Sequence, residues 1–167
     1  MGQRRVPRLG KDMSELINRK NVYISEAKTK EELFEDLYKK LKADDLVNDK
    51  FLEMVKEREE NYPTGMDMSL VSENLPNIAI PHTEPEACKV TRVIPVKLKE
   101  KIKFNNMIDP EKELEVSFIF MILNNEGGQQ TDVLAKIMDF VTKTDDIEKM
   151  YQLDDADKIY EFIKEKF

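Results

Sequence analysis

"ELEVSFIFMILN", residues 113–124, decides the architecture of this chain. Every residue from Phe118 to Leu123 is apolar, and no longer apolar run exists in the sequence. A strand with one wet face alternates apolar and polar residues, whereas this one does not, so it predicts a strand buried on both faces at the centre of a sheet. Six residues fall far short of the ~20 that a membrane helix needs.

The neighbouring segments supply its partners. "KVTRVIPVKL" (89–98) reads as a second strand through Val90, Arg92, Ile94 and Val96. Pro95 lacks a backbone N–H, which predicts that this strand lies at an edge or carries a bulge. Ile78-Ala79-Ile80 reads as a third strand and Val22–Ile24 as a short fourth. Downstream, Gly127-Gly128 break the chain, and a helix is predicted over 131–142 with Val133, Leu134, Ile137, Met138 and Val141 on its buried face. "DDIEKMYQL" and a terminal helix over 155–166 follow.

Upstream, Thr29 precedes Glu32 by three residues, the spacing of a capping box. Leu33, Phe34, Leu37, Tyr38 and Leu41 then recur at helical spacing. A second helix is predicted over 49–60 with Phe51, Leu52 and Val55 inward, ended by Tyr62-Pro63-Thr64-Gly65. Strands mixed with helices predict an α/β fold, a mixed (α+β) sheet flanked by helices on both faces. Residues 1–13 read as a flexible lead and 14–167 as a single domain.

Composition narrows the chemistry. Of the 167 residues, 40% are hydrophobic and 37% charged, the balance of a soluble globular chain. The net charge of −7 makes nucleic acid and anionic membranes poor partners. Arg4, Arg5, Arg8 and Lys11 form a basic lead without interleaved aromatics, which reads as a frayed tail rather than a nucleic-acid arm. The first twenty residues hold no apolar stretch of the secretory kind, and Cys88 is the sole cysteine, so a reducing cytoplasm is expected.

His82, in "NIAIPHTEPE" (77–86), is the only histidine. It sits just past an apolar strand, where open α/β sheets place ligand sites, and Pro81 stiffens the approach. An imidazole titrating near ~6.5 suits a nucleophile or general base. Zinc is not expected, because it wants three or four Cys or His ligands. A Cys88–His82 nucleophilic pair is the weaker thiol reading, and no G-x-S-x-G elbow or nucleotide-binding glycine motif occurs. "NNEGGQQT" (124–131) joins a strand end to a helix start, where backbone N–H groups can cradle an anion. Arg58 offers a positive fork for phosphoryl oxygens, although pairing with nearby glutamates is the common fate of such a helix arginine.

"EREENYPTG" (57–65) followed by "IAIPHT" (78–83) resembles the IIA component, fructose–mannitol/galactitol type, of the bacterial phosphoenolpyruvate:sugar phosphotransferase system. The resemblance covers roughly residues 20–167, and the spacing of "VTRVIPVKLKEKIKFNNM" looks closer to galactitol-type members. It implies a cytosolic phosphocarrier without a cofactor. In that family the histidine takes a phosphoryl group from HPr and passes it to a cysteine of EIIB, which serves the membrane component EIIC.

His82 matches the phosphorylated histidine, Arg58 the arginine that steadies it and Thr64 the motif threonine. Where many members carry a second histidine, Gln130 stands, or Gly128 if the Gly-Gly turn is aligned otherwise. The resemblance thus implies a site of His82, Arg58, Thr64 and Gln130, with Gly128, Gln129 and Thr83 as the phosphoryl-oxygen cradle. The other reading is a regulatory module that keeps the same phosphorylatable histidine.

Overall fold

The computed structural model describes residues 13–126 and 130–166. Five strands form one sheet: β1 (Tyr23–Ser25), β2 (Gly65–Met66), β3 (Asn77–Ala79), β4 (Arg92–Asn105) and β5 (Glu113–Leu123), in the order β1-β4-β5-β3-β2. The opening stretch is indeed the middle strand. It pairs antiparallel with β4 and parallel with β3. Among the described residues six α-helices accompany the sheet: α1 (Met13–Leu16), α2 (Lys30–Ala43), α3 (Phe51–Asn61), α4 (Gln130–Lys143), α5 (Ile147–Tyr151) and α6 (Ala156–Lys166).

The two faces of β5 feed two cores. Phe118, Phe120 and Ile122 pack with Val133, Ile137, Ile159 and Ile163 from α4 and α6. Ile119, Met121 and Leu123 pack with Leu33, Phe34, Leu37, Leu41, Phe51 and Val55 from α2 and α3. Val116 belongs to the second core although its parity is that of Phe118. The cause is a bulge: Asn77 and Ile78 are consecutive in β3, yet they face Val116 and Phe118. The extra residue flips the alternation.

Helix α2 starts as its sequence dictates. Thr29 Oγ1 accepts the Glu32 N–H at 3.1 Å, and the Glu32 carboxylate accepts the N–H of Lys28 at 3.0 Å. Such a cap stabilises by about 1 kcal/mol. The other predicted elements differ at their ends: β1 is displaced by one residue from 22–24, and α3 begins at Phe51 rather than 49. Tyr38 and Leu52 are half-buried at the margin of the second core.

Two expectations need correction. Strand β4 continues to Asn105 rather than ending near Leu98, and it is not an edge strand. Pro95 pairs with Phe120, while the β1 ladder begins at Val96, so the missing N–H falls where β4 has a partner on one side only. The irregularity of this strand lies further on, between Lys97 and Ile102. The segment Tyr62–Gly65 is also more than a helix stop, because Gly65 opens β2.

The long β4–β5 hairpin curls until its tip reaches β2. Gly65 bridges Asn106, and its carbonyl accepts the Met107 N–H at 2.8 Å. A Cβ at Gly65 would stand 2.6 Å from the Asn105 carbonyl oxygen, so only glycine permits this approach. Among the described residues, no helix is long and apolar enough to cross a membrane.

Candidate functional site

The parallel pairing of β3 with β5 brings two strand ends together, and His82 sits there. It forms an isolated bridge with Ile122, whose N–H donates to the Pro81 carbonyl at 2.9 Å. His82 Nδ1 lies 3.0 Å from the carbonyl oxygen of Ile80. A carbonyl can only accept, so Nδ1 carries the proton and the neutral ring presents Nε2 as a bare lone pair. Partial burial lowers the imidazole pKa; the Ile80 hydrogen bond opposes this, the Arg58 cation adds to it, and the Glu84 carboxylate opposes it. The ring is therefore held neutral near pH 7.

Arg58, in the last turn of α3, reaches the same place. Its Nη1 donates to Glu84 Oε1 at 2.9 Å, and its guanidinium carbon stands 5.1 Å from the centre of the Tyr62 ring. Its Nε is buried with no hydrogen-bond partner among the described residues. A cleft of about 140 Å³ lies between Met54, Arg58, Tyr62 and Glu84. The salt bridge and ring fix the fork, while one donor edge remains unused.

Thr64 is placed differently from the expectation that its hydroxyl faces phosphoryl oxygens. It is buried, and that hydroxyl donates to Glu59 Oε1 at 2.7 Å, while its N–H donates to Glu59 Oε2 at 2.8 Å. Its carbonyl accepts the Ile80 N–H at 3.3 Å, so Thr64 touches the site through backbone. Thr83, next to the histidine in the chain, is buried. Gly128 and Gln129 lie outside the described residues, and of Gln130 only its place as the first residue of α4 is described. Cys88 is buried with its thiol pKa pushed up by burial, contrary to what a nucleophile requires.

Sequence reasoning passed over Glu59, Tyr62 and Glu84. Glu59 had a signal: Phe51, Val55 and Glu59 are four apart and share the inward stripe of α3, and all three are buried. At the end of β5, Asn124 is also buried; its Oδ1 accepts from Thr91 at 3.2 Å and from the Glu126 N–H at 2.9 Å.

With these residues in place, the sequence from 15 to 166 matches the family model "Phosphoenolpyruvate-dependent sugar phosphotransferase system, EIIA 2". The chain belongs to this EIIA family. Curated protein sequences give no significant match. Solved EIIA structures share its fold. A mannitol-specific cryptic phosphotransferase enzyme IIA of Escherichia coli superposes with a TM-score of 0.70 at 12% identity, covering 93% of this chain and 99% of that one. The IIA–phosphorylated IIB mannitol complex of Escherichia coli gives 0.65 at 18% identity, covering 88% and 96%. Nitrogen regulatory protein IIA-Ntr from Neisseria meningitidis gives 0.62 at 20% identity, covering 90% and 97%. At such identities the likeness is one of fold.

Proposed function

We propose that this EIIA chain is a cytoplasmic phosphocarrier that accepts a phosphoryl group on Nε2 of His82 from phospho-HPr and yields it to a cysteine of EIIB. The observation that carries this reading is the Nδ1–Ile80 hydrogen bond, which leaves Nε2 as the nucleophilic atom. In the forward step the Nε2 lone pair attacks phosphorus in line, an N–P bond forms, and the N–P bond to the donor histidine breaks. Positive charge developing on the ring is shared with the Nδ1–H held against the Ile80 carbonyl.

Little covalent chemistry is asked of the protein; positioning and charge do the rest. The unused edge of Arg58 supports a role in holding phosphoryl oxygens, with Gly128, Gln129, Gln130 and Thr83 as the remaining cradle. Thr64 acts in this reading from behind, through Glu59 and Ile80. The family's membrane component EIIC stands downstream of EIIB, so this chain does not meet the sugar. The spacing over residues 90–107 supports a galactitol-type carrier.

Incubation with phosphoenolpyruvate, enzyme I and HPr is expected to label the protein with an acid-labile, base-stable phosphate that His82→Ala loses. Absence of label on the intact protein overturns the reading. Movement of the label to a cognate EIIB cysteine separates a sugar carrier from a regulatory module.

A further inference from the structure

We infer that Glu59 is a positioning residue for the His82 imidazole, acting through a hydrogen-bonded path that runs Glu59–Thr64–Ile80–His82. The inference rests on the phosphocarrier reading only for its kinetic consequence. Each link of the path is a hydrogen bond, the Ile80–Thr64 one being the longest. The Glu59 carboxylate receives both the N–H and the hydroxyl of Thr64, at 2.8 and 2.7 Å. Thr64 in turn accepts the Ile80 N–H at 3.3 Å, and Ile80 accepts the His82 Nδ1–H at 3.0 Å.

A buried carboxylate is costly unless something uses its acceptors, and Glu59 is only 3% exposed. Both of its oxygens are spent on one residue, which closes the chain from the end of α3 into β2 as a ring. That ring also contains Tyr62, the aromatic face beneath the Arg58 guanidinium. On the far side, Gly65 is pressed against the Asn105 backbone, so the segment cannot drift outward to compensate. Releasing Glu59 therefore lets Thr64 move, and with it the strand end that carries Ile80. The Ile80 carbonyl fixes which ring nitrogen is bare and where it points. Glu59 itself touches no reacting atom.

The test uses the full chain and two readouts. The first is the 15N spectrum of the His82 ring, which reports the tautomer without any phosphorylation. The second is phosphorylation by phospho-HPr, resolved into kcat and KM, with Tm measured for each variant. Glu59→Ala is expected to move the ring signals toward a mixture of tautomers and to lower kcat roughly tenfold with KM little changed. Glu59→Gln keeps one acceptor and is expected to restore the spectrum and most of kcat. Thr64→Val, which removes the hydroxyl alone, is expected to shift the ring in the same direction, and the double variant to add little to Glu59→Ala.

If Glu59→Ala does not fold, Thr64→Val against Glu59→Gln decides. Wild-type ring signals in folded Glu59→Ala or Thr64→Val overturn the inference, as does a Glu59→Gln protein that stays as impaired as Glu59→Ala. A normal spectral response with no labelling of wild-type protein would instead count against the phosphocarrier reading alone.

Discussion

Arg58 and Glu84 form a salt bridge across 26 positions of chain, Nη1 to Oε1 at 2.9 Å, beside the only histidine. The two charges act on that imidazole with opposite sign: Arg58 lowers its pKa and Glu84 raises it. Arg58→Ala is therefore expected to raise the His82 pKa and Glu84→Gln to lower it, both read by NMR titration. Shifts in the same direction would contradict the arrangement.

The kinetic counterpart is separate. Arg58→Ala is expected to slow phosphoryl transfer by 10-fold or more, on the order of what one charge-stabilising donor contributes, with an unchanged melting temperature. Arg58→Lys should recover only part of the rate, since an ammonium lacks the planar fork. Full activity in Arg58→Ala would remove the residue from the site.

Glu59 carries a pH signature. Burial raises its pKa from 4.5 to about 7, against the Thr64 hydrogen bonds and the nearby Lys30 and Arg58 charges, which lower it. The folded state thus holds this proton more tightly than the unfolded chain. Its contribution is present below pH ~4.5 and is lost as pH rises through about 7, a change on the order of 3 kcal/mol. His82 acts the other way: its lowered pKa costs stability as pH falls below ~6.5. Urea unfolding at several pH values should show Glu59→Gln gaining on wild type between pH ~4.5 and ~7. A constant difference over that window would refute the assignment.

Gly65→Ala places a methyl 2.6 Å from the Asn105 carbonyl, a contact that backbone must yield to. A loss of about 1–3 kcal/mol in urea unfolding is expected, from overpacking at the meeting of β2 and the hairpin tip. An unchanged midpoint would mean that the tip moves freely.

Cys88, buried and with a raised pKa, should react slowly with iodoacetamide in the native protein and quickly after unfolding. Cys88→Ala should transfer phosphoryl groups within about twofold of wild type. A large loss of transfer would revive the thiol reading.

The sequence made the centre of the fold legible because residues 118–123 carry no ambiguity of period. It also made the caps and stripes legible, since Thr29 with Glu32 and the Leu33–Leu41 series depend on local spacing alone. The reach of β4 to Asn105 was hidden, because "KEKIKFN" looks too charged for a strand until the curl of the hairpin exposes one of its faces. The bulge at Val116–Phe118 was hidden for a related reason: register depends on β3, which lies more than thirty positions away. At the site, His82 and Arg58 stood out by residue type. Glu59 did not, because three glutamates crowd residues 57–60 and only packing singles one out. Thr64 was noticed for its motif, but its partner could be known only from the turn it closes.

Strand order has a temporal side. β1 pairs with β4 and β3 with β5, so each docks on one strand of the central hairpin. The hairpin spanning Arg92 to Leu123 therefore forms the middle of the sheet, and the segment bearing His82 lies against its second strand. A nascent chain has already emitted its imidazole before Ile122, to which His82 is bridged, has been made, so this corner of the sheet can close only after synthesis has passed the end of β5.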